Sequence, residues 1–238
     1  MAGELNVLCA GAVKGLVLAL QGDFESATGL RLRATFGAVG AMRDALRSGA
    51  PCDVFIATNA MIGALQASGE LRAGTRRPIG TVQTAIAVKA SAPRPKIDSA
   101  ESLKAALLAA GAIYFPDAAL STAGAHVAAV LERLGIRDRL ASRLRMFANG
   151  ATAMRELAGA EDDAIGCTQA TEIRYTPGLA LVGALPPPFA LATVYSAAVA
   201  DAARNGDGAS RFIDLLVGAS SAGLRRAGGF DDLVADAG

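Results

Sequence analysis

Three side chains in this sequence are of types that move protons or hold anions, and each stands beside a stretch of small residues. They are Lys14 in VLCAGAVKGL, His126 in STAGAHVAAV and Glu172 in TQATEI. His126 is the sole histidine, and its ordinary titration range suits a proton shuttle. Glu172 is the carboxylate best placed to serve as a base. A packed helix histidine and a capping or pairing glutamate are the structural alternatives for these two catalytic candidates. Five short stretches supply the rest of the candidate chemistry: Gly11-Ala12-Val13-Lys14, Gly37-Ala38-Val39-Gly40, Ser121-Thr122-Ala123-Gly124, Asn149-Gly150-Ala151-Thr152 and Thr168-Gln169-Ala170-Thr171. A helix start leaves backbone N–H groups unpaired and carries partial positive charge. Small residues let a ligand approach that backbone, so several such turns around one hollow would hold an anion. Lys14 would add a full charge at the rim, and Thr and Gln side chains would fix orientation. Ser121 and Thr122 read equally well as simple N-caps, and Lys14 as a solvated lysine.

The elements that must position these turns alternate short apolar strands with amphipathic helices. Strands are expected at 5–10, 30–36, 52–58, 81–90, 112–117, 144–148 and 163–169. A helix from Lys14 to Thr28 closes on Gly29, Asn59 reads as the N-cap of a third helix, and Asp98 with Glu101 has capping-box spacing. The uncharged stretch 175–200 contains Pro186, Pro187 and Pro188, which cannot continue a membrane-spanning helix; it reads as two buried strands joined by a rigid turn. A helical tail follows. This alternation argues for an α/β architecture with mixed, mainly parallel sheets. Nine or ten strands exceed what one ordinary doubly wound sheet carries, so two lobes are expected: 1–81 with 192–238, and 82–191. In such folds ligands bind beyond the carboxyl ends of the strands, here in a cleft between the lobes.

Composition excludes several functions. Lys and Arg number 23 against 22 acidic residues, Trp is absent and aromatics are 5%, so neither a basic surface nor a stacking platform for nucleic acid is present. Cys9, Cys52 and Cys167 are far apart, without the C-x-x-C spacing of zinc or redox sites; they read as buried reduced thiols, with Cys9 and Cys52 inside strands. No metal-ligand cluster, phosphate loop, dinucleotide fingerprint or nucleophile elbow occurs, and no metal or cofactor is expected. The first residues, MAGELNVLCAG, lack the pattern of a secretory leader. The chain is expected to be cytoplasmic if Met1 is the native start, and periplasmic if a leader was removed. The expected partner is a small anionic ligand, with an ABC permease added if the chain is exported, and no membrane insertion.

FGAVGAMRDALRSGAPCDVFIATNAMIGAL (36–65), with LERLGI (131–136), AIGCTQATEI (164–173) and TVYSAAVA (193–200), resembles the molybdate-binding proteins of ABC importers. The resemblance implies a type II periplasmic-binding-protein fold: two α/β lobes joined by two crossover strands and hinged about a ligand. Molybdate binders hold their oxyanion with serine hydroxyls in the first two turns and a tyrosine in the last. The matching positions here are Ala12, Val39 or Gly40, and Gln169. Each missing contact to a buried oxyanion would cost roughly 1–3 kcal/mol, which favours an organic carboxylate over molybdate. The AGAVK and TQATEI variants are similar to a divergent branch that includes bacterial aconitate isomerase. That similarity implies an alternative function, proton transfer within a di- or tricarboxylate with His126 or Glu172 as the base. A cytoplasmic ligand sensor is a third reading.

Overall fold

The computed structural model describes residues 3–161 and 163–233. The chain forms two compact units, one built up to Val82 and again from Thr193, the other from Gln83 to Ala192.

In the first unit, β1 (Glu4–Ala10) runs through a 3-10 turn into α1 (Lys14–Thr28), which ends at Gly29 in the left-handed region, φ 69°. β2 (Arg31–Gly37) leads to α2 (Val39–Arg47), and β3 (Val54–Thr58) to α3 (Asn59–Ala67). β1 lies parallel to both β2 and β3. β2, at the sheet edge, alternates exposed and buried residues, whereas β3 is buried throughout, as expected of an interior strand covered on both faces. The cap of α3 is Thr58, whose Oγ1 accepts from the Met61 N–H at 3.3 Å, and not Asn59 as the sequence suggested. Thr58 has the extended backbone that an N-cap requires; the Asn59 Oδ1 instead accepts from the Ser196 hydroxyl at 2.9 Å. Cys52 precedes β3 and is only partly covered, while Cys9 is buried in β1.

The long strand β4 (Arg77–Lys89) carries the chain into the second unit. There α4 (Ala100–Ala109) is capped reciprocally by Ser99 and Ser102, displacing the expected Asp98–Glu101 pair by one position. Glu101 remains in the first turn, where its charge complements the helix dipole. Next come β5 (Ile113–Pro116), α5 (Thr122–Arg133), α6 (Arg137–Leu140), β6 (Leu144–Phe147) and α7 (Gly150–Ala158). β7 (Ile165–Gln169), α8 (Ala170–Tyr175) and β8 (Leu179–Ala184) complete the unit. The strands lie in the order β8-β4-β7-β5-β6. β5 is parallel to β6 and β7, and β4 is antiparallel to β7 and β8. β8 is half-buried rather than buried, because it lies at the sheet edge. Leu103, Ile113, Phe115, Leu131, Ile136 and Leu140 form the core, with Cys167 among them.

β9 (Ala192–Val199) returns the chain and pairs antiparallel with β3; α9 (Gly206–Val217) and α10 (Ala222–Gly228) follow. Phe212 of α9 meets Phe24 of α1 edge to face at 5.0 Å. Asp53, 1% exposed, anchors this return. Its carboxylate accepts the backbone N–H groups of Asn6, Arg204 and Asn205 at 2.7–2.9 Å.

Candidate functional site: the strand-to-helix turns

In the first unit the turn after β1 buries Ala12 and Val13, the latter fully. No side chain caps either the 3-10 turn or α1. The turn after β2 has the same character. Ala38 occupies the N-cap of α2 with φ −65° and ψ 153°, the geometry in which a Ser or Asp would cap the helix, yet alanine offers no acceptor. Val39 and Gly40 behind it are buried. Ala10 and Gly37 are partners in the parallel ladder, so the two uncapped helices leave the same sheet edge side by side. Lys14 joins them: its Nζ lies 5.6 Å from the centroid of the Phe36 ring, over the end of β2. The ammonium there keeps a favourable aromatic contact.

The turns of the second unit are differently built. The Ser121 Oγ accepts from the Gly124 N–H at 3.3 Å and the Asn149 Oδ1 from the Thr152 N–H at 2.9 Å, so α5 and α7 each carry a cap of their own. Thr122, Ala151 and Thr152 are half-buried. Gly124 is required by close packing, since a Cβ there would lie 2.3 Å from the Pro116 carbonyl oxygen. Gly150 is constrained similarly: a Cβ would stand 2.0 Å from Glu172 Oε2 and 2.2 Å from Thr168 Oγ1.

Glu172 explains that crowding. Only 7% exposed, it accepts the Thr168 hydroxyl at 2.5 Å and the backbone N–H groups of Gln169 and Ala151. Burial raises its pKa above the ordinary carboxylate range, against the opposing pull of these three donors. The start of α7 therefore already meets an acceptor belonging to the protein. His126 is also engaged: its Nε2 lies 2.8 Å from the Phe189 carbonyl oxygen, which accepts the ring N–H. That bond ties α5 to the segment after the three prolines, where the Arg133 guanidinium also stacks on the Phe189 ring at 4.7 Å. His126 and Glu172 thus answer to different partners on different elements.

Gln169 stands apart. It ends β7 at 2% exposure, and neither its Nε2 nor its Oε1 has a partner. Thr171 Oγ1, two residues on, is likewise buried and unpartnered, as is Thr84 Oγ1. Thr84 lies directly across from Gln169 in the β4–β7 ladder, which puts the two side chains on one face of the sheet. A buried polar atom without a partner costs about 1–3 kcal/mol, and native folds leave few. The sequence offered no signal for Thr84, because Thr81 and Gln83 stand in the same strand and only the pairing with Gln169 separates it from them.

A two-unit α/β chain with small-residue helix starts at its strand ends has the fold of the periplasmic binding proteins. The family model described as bacterial extracellular solute-binding protein matches residues 5–231, and the chain belongs to that family. Among solved structures, the periplasmic molybdate-binding protein of Azotobacter vinelandii matches 97% of this chain and 100% of its own, with a TM-score of 0.78 at 20% identity. The sulfate-binding protein SubI of Mycobacterium tuberculosis H37Rv matches 97% of this chain and 87% of its own, with a TM-score of 0.71 at 16% identity. In sequence, the chain is 25% identical over 224 residues to an aconitate isomerase of a Pseudomonas species, covering 92% of this chain and 84% of that protein. Among the described residues no helix is long and apolar enough to cross a membrane.

Proposed function

We propose that this protein binds a small anion, an organic carboxylate rather than molybdate, between two lobes formed by residues 1–81 with 192–238 and by residues 82–191. The observation that carries the reading is the pair of uncapped helices, α1 and α2, released side by side by the Ala10–Gly37 register with Lys14 beside them. Two helix starts without a side-chain acceptor favour an external one. Ala12, Val13, Ala38, Val39 and Gly40 would supply backbone donors, and Lys14 the charge. Gln169 and Thr171 would face the ligand from the second unit, whereas Ser121, Thr122, Gly124, Asn149, Gly150, Ala151 and Thr152 lie at the starts of α5 and α7, which the chain caps itself. An ABC permease would be the protein partner of an exported form.

A thermal-shift screen of oxyanions and of di- and tricarboxylates tests this. A specific ligand at a hundredfold excess over its Kd is expected to add about 2.7 kcal/mol of stability. Lys14→Ala is expected to weaken that ligand without lowering the melting temperature of the unliganded chain. Stabilisation by molybdate alone, or unchanged affinity in the variant, would refute the assignment.

The likeness to aconitate isomerase supports a second reading, proton transfer within a polycarboxylate using Glu172 or His126. Proton NMR in D2O decides it. A bound tricarboxylate that never exchanges a carbon-bound proton is a ligand and not a substrate.

A further inference from the structure

We infer that the ligand group received at Gln169 offers a hydrogen-bond donor as well as acceptors: an O–H beside carboxylate oxygens, from a hydroxycarboxylate or a singly protonated polycarboxylate, and not an aprotic oxyanion. The inference rests on the small-anion reading above and names the ligand class for it. Gln169 is buried with both ends of its amide unanswered. The conclusion is the same for either orientation of the amide, because one end donates and the other accepts in both.

The adjoining polar groups are committed elsewhere. The Glu172 carboxylate takes the Thr168 hydroxyl and the N–H groups of Ala151 and Gln169, and the Asn149 Oδ1 takes the Thr152 N–H. What remains beside the Gln169 amide is the Thr84 hydroxyl across the β4–β7 ladder, so the pair holds both donors and acceptors; Thr171 and Thr193 carry the other buried hydroxyls without a partner among the described residues. A fully deprotonated oxyanion brings acceptors only. It would answer Nε2 and leave Oε1 buried against negative charge. An alcohol or carboxylic acid O–H answers Oε1, while an adjacent carboxylate oxygen takes the Nε2 hydrogens and the Thr84 hydroxyl. Sites whose buried polar groups are completed by a ligand hydroxyl reject analogues lacking it.

Isothermal titration calorimetry on the full chain, with pairs differing by one hydroxyl, tests the assignment: citrate against tricarballylate and malate against succinate, with molybdate and sulfate as aprotic dianions. Repeating each titration in two buffers of different ionisation enthalpy counts the protons taken up. The hydroxylated member is expected to bind at least about tenfold more tightly, or the unhydroxylated one to bind with uptake of about one proton; the first result identifies an alcohol as the donor, the second a carboxylic acid. Gln169→Leu, of similar size but unable to hydrogen-bond, is expected to bring each pair within about twofold and to abolish proton uptake. It is also expected to melt no lower than wild type, since it removes two unanswered atoms. Should that variant not fold, the wild-type pairs decide the question alone. Binding of no anion at all would overturn the small-anion reading itself. Anions that bind equally across each pair without proton uptake, or a preference that survives in Gln169→Leu, would leave that reading standing and overturn this inference.

Discussion

The helix starts at the ends of β1 and β2 and the one at the end of β6 meet the same physical demand in opposite ways. Each presents backbone N–H groups and the positive end of a dipole. At α7 the protein answers from within: Asn149 caps Thr152, and the buried Glu172 carboxylate accepts from Ala151. At α1 and α2 the corresponding positions are Val13 and Ala38, and no side chain answers. Small-residue turns are therefore not equivalent as anion sites. One whose donors are satisfied by the chain is a structural joint, and one left open is available to a ligand.

The sharpest way to break this contrast is at the joint. Gly150→Ala would push a methyl group into the Glu172–Thr168 pair and is expected to destabilise the protein by about 3 kcal/mol, measured by urea unfolding. A loss below about 0.5 kcal/mol would mean that Glu172 is not fixed on α7. A smaller effect is expected from converting an open start into a closed one. Ala38→Asp, in a backbone already shaped for capping, should preserve or raise the unliganded melting temperature while weakening anion binding at least about tenfold. Retained affinity would show that the ligand does not use the start of α2.

The smallest effect concerns Glu172 itself. Its folded-state pKa is raised by burial, so the folded chain holds that proton more tightly than the unfolded one. The resulting stability is fully present below the unfolded value of about 4.3 and is lost as pH rises through the raised folded value. Glu172→Gln carries no titrating group, so its melting temperature should gain on wild type as pH climbs through that window. A difference between the two that stays flat from acid to neutral pH would contradict the burial argument.

Much of the architecture is legible in the sequence. The span predicted for α1, Lys14 to Thr28 closed by Gly29, matches the structure, because a terminating glycine is a local signal. Cap positions slipped by one residue at Thr58 and Ser99; there two polar neighbours competed and backbone angles chose between them. Cys52 fell outside its expected strand, since an apolar residue beside a strand looks the same in sequence as one within it.

The order of strands and helices, the small residues at strand ends and the break imposed by three consecutive prolines follow from the sequence alone, because periodicity, propensity and chain stiffness act over neighbouring residues. Which turns are answered and which stand open was decided only by tertiary structure. Ala10 is 27 positions from Gly37, Thr84 is 85 from Gln169, and Ala151 is 21 from Glu172, and only strand register and helix packing bring these groups together. Hydrogen-bond satisfaction depends on distances in space, and the chain order of residue types does not carry them.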